Sequence, residues 1–168
     1  MNKKYKEKRG ITLVTLIITI VLLAILSALT VNAGTQSLSN ARFKAYAYEL
    51  KILQEKVNEL NQNKEFNLGE ELTPEQKALL NKKEINDVLS KEKNETEVQE
   101  IKSGFRYFSA DYIKNTLKLQ GINEDFLINV KKRILVSVKG HVYKGVTYYM
   151  SDQMSDGYYN VEYNNNSF

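Results

Sequence analysis

A single histidine, His141, and two carboxylates, Asp152 and Asp156, ahead of Gly157 are the side chains best suited by type to catalysis or metal binding. Their spacing does not make a site. One imidazole cannot form a histidine cluster for zinc, and within the strand-like "GHVY" His141 reads as a surface or packing residue. The two aspartates lack the alternating oxygen ligands of a calcium-binding helix-loop-helix. Asp156-Gly157 is also a turn signal, so calcium contact and a plain turn are the two readings of that pair. The chain has no cysteine, which excludes disulfides, thiolate metal sites and a cysteine nucleophile. It has no phosphate-cradling glycine loop and no nucleophile elbow, and a serine triad would have to recruit His141 without a supporting motif. The chain is therefore not expected to be an enzyme, and no metal or cofactor is expected.

The chemistry written most clearly into this sequence is chemistry done to it. In "KEKRGITLVTLIITIVLLAILSALTVNAG", residues 6–34, a cluster of charges stops at Gly10, and no charged side chain returns until Arg42. Residues 1–10 hold five of the chain's 24 basic groups and one of its 20 acidic groups, so the rest carries 19 of each. The net charge of +4 thus lies at the N-terminus, and a neutral body gives no electrostatic case for nucleic-acid binding. Residues 11–33 form 23 uncharged positions, which as a helix would rise roughly 34 Å, enough for a hydrocarbon core of about 30 Å. Five basic groups before the span, against Arg42 and Lys44 soon after it, hold the N-terminus in the cytoplasm and place the remainder outside. On a helical wheel Thr12, Thr15, Thr19, Ser27, Thr30, Ala33 and Gly34 fall within about 120°. That small-residue face suits close packing against another helix in lipid; the alternative is that each hydroxyl bonds back to a carbonyl of its own helix.

The segment "KRGITLVTLIITIVLLAILS" resembles the N-terminus of type IV pilins and pseudopilins, whose precursors carry a short basic leader ending in glycine and then an apolar helix. The resemblance implies that a membrane-embedded prepilin peptidase cuts after Gly10 and methylates the new amino terminus of Ile11. A residue without a β-carbon suits entry into a narrow protease site. Most major pilins have a glutamate as the fifth mature residue, paired with a neighbouring subunit's amino terminus; here that position is Thr15. A threonine offers a hydroxyl but no countercharge, so the resemblance implies a minor subunit. A tip-initiating subunit in related systems can lack this acid, but "GITL" leaders without it also resemble Gram-positive sequences, and Thr15 does not by itself assign the tip. Two other fates are open to this N-terminus. One is a secretory signal peptide cut ahead of Gly34, with Val31 and Ala33 at the recognition positions, although its usual apolar run is about 7 to 15 residues. The other is an uncut single-span anchor.

The elements that would carry these functions read as α+β: a long N-terminal helix, membrane-spanning in its first half, followed by a small head with a short helix and an antiparallel sheet. The expected divisions are leader 1–10, span 11–33, amphipathic continuation 34–62, second helix and charged connection 63–104, and α+β head 105–168. Phe43, Tyr46, Leu50, Leu53, Val57 and Leu60 recur every three or four residues. Their stripe fits either packing under the head or a coiled coil with another chain. Gly34 is expected to bend or interrupt the helix. A second helix starts at Thr73, with Pro74 at its first position and Gln76 closing a capping box. Its apolar face continues through Leu79, Leu80, Ile85, Val88 and Leu89, and "KEKNETEVQE" reads as a solvated face or loop. "FRYF" reads as a strand, and Ser109 caps a helix through Leu119 with Gly121 in its closing turn. "FLINV", "ILVSV", "VTYYM" and "YYNVEY" read as further strands. Tyr148, Tyr149, Tyr158, Tyr159 and Tyr163 suit either core packing or a recognition surface. The resemblance implies the function of a filament subunit whose partners are prepilin peptidase, other pilin-like subunits and membrane lipid. The rival is a membrane-anchored or secreted surface binding protein that does not assemble.

Overall fold

The computed structural model describes residues 13–154, without the side chains of 13–15 and 25–33. By its contacts the chain divides into two compact units that meet at Asn40 and Ala41. Helix α1, Leu13–Gln62, contributes to both. Within the first unit the helix runs through Gly34 without interruption. Gly34 costs helix propensity of about 1 kcal/mol against alanine, too little to end a helix supported on both sides. Among the described residues no helix is long and apolar enough to cross a membrane. The nine described side chains inside the expected span, 16–24, cover only about 14 Å of helix.

The second unit is a three-layer α+β structure built around one antiparallel sheet. Strands β1 (Arg106–Phe108), β2 (Phe126–Asn129) and β3 (Ile134–Ser137) lie in the order β1-β2-β3. Register places Tyr107, Leu127 and Val136 in one row, and Phe108 opposite Phe126 on the other face. Because side chains alternate across a strand, each row faces a different layer. Phe108, Phe126, Ile128 and Leu135 join the Phe43–Leu60 stripe of α1 in one core. Leu127 and Val136 pack with Leu80, Ile85, Leu89 and Ile101 from the opposite layer in a second core. This double cover explains why every residue of "FLIN" is buried. The stripe on α1 is thus spent under the head, and none of its six residues remains exposed for a coiled coil.

The opposite layer holds three short helices where the sequence suggested one and a loop: α2 (Pro74–Leu79), α3 (Lys83–Leu89) and α4 (Glu95–Ser103). On one unbroken helix Leu79, Leu80, Ile85, Val88 and Leu89 would spread around most of the circumference. An extended Lys82, at φ −57° and ψ 140°, breaks the helix so that both halves can turn apolar residues inward. The capping box of Thr73 and Gln76 forms as expected. The charged connection contains a helix because Asn94 and Glu97 cap each other reciprocally, at 3.0 and 2.9 Å, and Val98 and Ile101 are buried beneath them. Helix α5, Ala110–Asn115, is capped by Ser109 but ends before Leu119, so Gly121 (φ +86°) belongs to the following loop. The connection "KGHVYKG" is itself mostly hairpin: β4 (His141–Tyr143) pairs with β5 (Val146–Tyr148) across Lys144 and Gly145. Both turn residues have positive φ, 49° and 80°, as a tight two-residue hairpin of the favoured hand requires. "YYNVEY", Asp156, Gly157, Tyr158, Tyr159 and Tyr163 lie outside the described residues.

Candidate assembly surface and the head's polar seam

In the first unit, seven large apolar side chains between Leu16 and Leu23 are each 50–58% exposed. Successive helical residues are about 100° apart, so apolar side chains surround this stretch except in the sector of Thr19. Amphipathic surface helices keep one polar face; a helix apolar on all sides demands cover on all sides. At about 1.5–3 kcal/mol for full burial of one such side chain, seven half-exposed ones leave on the order of 5–10 kcal/mol unrealised. Lipid, other helices, or both can supply that cover. Thr19 is exposed in this stretch, and a β-carbon at Gly34 would meet nothing within 4 Å. Gly10, Ile11 and Thr12 lie outside the described residues, as do the side chains of Thr15, Ser27 and Thr30.

In the head, His141 is a packing residue with polar neighbours. Its ring stacks on Tyr46 at 5.0 Å and 16°, beside Phe43, which itself stacks on Tyr143 at 4.2 Å. The Tyr46 hydroxyl donates to the Tyr148 carbonyl at 3.1 Å, pinning the hairpin to α1. The Tyr148 side chain packs against the α1-side core, and the buried Tyr149 accepts a hydrogen bond from Lys82 at 3.0 Å. Burial pushes the Tyr46 hydroxyl well above its ordinary value. Burial, followed by the nearby Glu124 charge, likewise raises Glu49. Neither carboxylate carried a sequence signal, because Glu49 and Glu124 come together only when the loop before β2 meets α1. Among the described residues there is no group of three metal-ligating side chains, and Asp152 sits on a short 3-10 turn, Ser151–Gln153.

No known protein family, curated protein or solved structure matches this chain.

The environment of His141 makes a pH prediction. Burial lowers its pKa below 6.5; Arg42 and Lys139 act in the same direction and Glu124 opposes them. The unfolded chain therefore takes up this proton first, and stability falls as pH drops through 6.5 toward the lower folded value. Glu49 has the opposite sign, since a raised folded pKa stabilises at low pH and that contribution is lost as pH rises through it. Replacing His141 with phenylalanine keeps the stacked ring and removes the proton. In thermal melts from pH 7 to pH 5, His141→Phe is expected to lose less stability than wild type. Parallel melting curves for the two proteins would refute this account.

Proposed function

We propose that this chain is a minor structural subunit of a type IV pilus-like or pseudopilus-like filament. One observation carries the reading: a basic decapeptide ending at Gly10 adjoins 23 uncharged positions in which the only polar side chains are hydroxyls and Asn32. The lysines and Arg9 hold the leader at the cytoplasmic surface, the apolar run enters the bilayer, and the head stands outside. Prepilin peptidase cuts between Gly10 and Ile11 and methylates the Ile11 amine. The exposed apolar helix then exchanges lipid for neighbouring subunits, and Gly34 and the hydroxyl face permit close helix contact. Thr15 brings no carboxylate to pair with a neighbour's amine, which fits a subunit present in few copies. The head supplies a rigid, noncatalytic surface at the periphery of the filament.

Intact mass analysis of protein recovered from the cell envelope tests the first step. The expected species begins at Ile11 and carries one added methyl group. A chain beginning at Gly34 would identify a secreted protein, and one beginning at Met1 an uncut anchor; either mass rejects the filament reading.

A further inference from the structure

The three-stranded sheet has two outer edges, and the described residues close only one of them. On β1, Tyr107 turns its backbone outward, and Glu70 both donates to it and accepts from it at 2.8 Å. On β3 the outward residues are Leu135 and Ser137. The Val138 N–H bonds inward to the Asp125 carbonyl at 3.0 Å, Val136 and Ile134 face Leu127 and Asn129 in the same sense, and the direction alternates along an antiparallel ladder. The Ser137 N–H reaches the Tyr149 carbonyl at 2.8 Å. The Leu135 N–H, the Leu135 carbonyl and the Ser137 carbonyl have no hydrogen-bond partner among the described residues. Leu135 is 3% exposed and Ser137 0%, which leaves water little access to these groups. Buried backbone groups are paired in more than about 90% of cases. This edge therefore calls for a donor and an acceptor side by side, as an extended strand presents them.

The chain itself arrives at this edge. Tyr149 is bonded to Ser137, Met150 enters the core on the side of α2, α3 and α4, and Met154 enters the α1-side core together with Leu135. Between them the Ser151–Gln153 turn carries the backbone past β3 from one face of the sheet to the other. The residues that follow begin with Ser155, Asp156 and Gly157, a turn signal, and continue as "YYNVEY", residues 158–163. Aromatic and β-branched residues favour a pleated, half-buried surface. Alternation puts Tyr159, Val161 and Tyr163 on one face of such a strand and Tyr158, Asn160 and Glu162 on the other. From Met154 to Tyr158 an extended chain reaches about 13 Å, against about 4.8 Å between neighbouring strands. The chain's own tail can therefore reach the edge without a second molecule.

We infer that residues 158–163 pair with the outer edge of β3 at Leu135, as a fourth strand supplied by this chain's own tail. A residue opposite Leu135 shares its face of the sheet, so Tyr159, Val161 and Tyr163 cover the α1-side core and Val161 stands opposite Leu135. With both edges closed, the sheet offers no backbone template to a neighbouring chain, and contacts of the head with other molecules fall to side chains. The inference is independent of leader processing, because β3 and the tail belong to the second unit.

The test uses the isotopically labelled full-length chain in mild detergent. Nuclear Overhauser contacts are expected between the Leu135 amide proton and protons of residues 160–162, together with slow hydrogen exchange at Leu135. Val161→Pro removes the N–H that faces β3 and resists insertion in a ladder. It is expected to speed exchange at Leu135 at least about tenfold, in line with the loss of one buried hydrogen bond. Exchange at Leu127 and Val136, which pair with each other, should stay as in wild type. Mixtures of nitrogen-labelled and carbon-labelled chains should show none of these contacts between molecules. Contacts seen only between differently labelled chains would place another copy's tail on the edge and overturn the assignment. Absence of any contact between Leu135 and the tail in wild type, or unchanged Leu135 exchange in Val161→Pro, overturns it as well.

Discussion

Replacing Gly10 with leucine is expected to leave the precursor uncut in the membrane and to remove it from any polymer. Arg9 is the last cation before the uncharged run and Gly10 the residue between them. On the proposed reading the protease accepts the backbone at the lipid surface, in a site expected to have no room for a side chain at this position. Extra methylenes at a tight enzyme pocket cost about 1–3 kcal/mol each in discrimination. The four carbons of leucine should thus lower processing by about a thousandfold or more. Gly10→Ala adds one carbon and should retain a measurable fraction of cut product. Intact mass of the membrane fraction reads the leader directly, and immunodetection in sheared surface material reads incorporation. If Gly10→Leu reaches the polymer at the wild-type level, processing at this bond is not the gate to assembly.

The second large effect concerns the head. Phe108→Ala should destabilise it by about 3–5 kcal/mol, the range for emptying a buried phenylalanine site. Phe108 is fully buried at the centre of the core between the sheet and α1, with Tyr112 edge-on at 5.4 Å and 88°. Its ring also lies against Gly69, where φ is +83° and an added β-carbon would come within 2.7 Å of it. Backbone from the Glu70–Tyr107 bridge fixes that approach, with hydrogen bonds of 2.8 Å in both directions. The surroundings are held by these bonds and by the β1-β2 register, so they cannot collapse far into the space left behind. Against a total stability of about 5–15 kcal/mol for a natural domain, this loss should lower the melting temperature by roughly 10–25 °C. Phe66→Ala provides the contrast, because Phe66 is exposed and its removal should change stability by no more than about 0.5 kcal/mol. Near-ultraviolet circular dichroism of the tyrosine-rich head follows both melts. Similar midpoints for the two variants would show that the packing assigned to Phe108 is wrong.

The elements that could be read in advance were those whose signal is local. The apolar stripe of α1, the capping box at Thr73, the Ser109 cap and the strands "FRYF", "FLINV" and "ILVSV" each state their geometry within a few residues. The Asn94–Glu97 capping box was equally local, but the density of charge around it made the segment read as loop; two buried side chains, Val98 and Ile101, outweighed that charge. The break between α2 and α3 had no local stop signal. It arises because Leu80 and Ile85 must enter the same core from different directions. The hairpin β4-β5 was half hidden because Lys144, a non-glycine residue at positive φ, carries no warning of a turn by type.

By itself, then, the sequence determined what depends on order along the chain: the charge boundary at Gly10, the uncharged run behind it, the α+β class and the apolar stripe of α1, whose cover the fold decided. Those properties follow from residue spacing and composition, which survive whether or not the chain is folded. Tertiary structure alone decided which distant groups meet. It stacked His141 on Tyr46, brought Glu124 near Glu49, and buried the Arg106 Nε without a hydrogen-bond partner among the described residues. Such neighbourhoods are made by packing elements far apart in sequence, and their energies depend on burial and distance, neither of which a one-dimensional pattern contains.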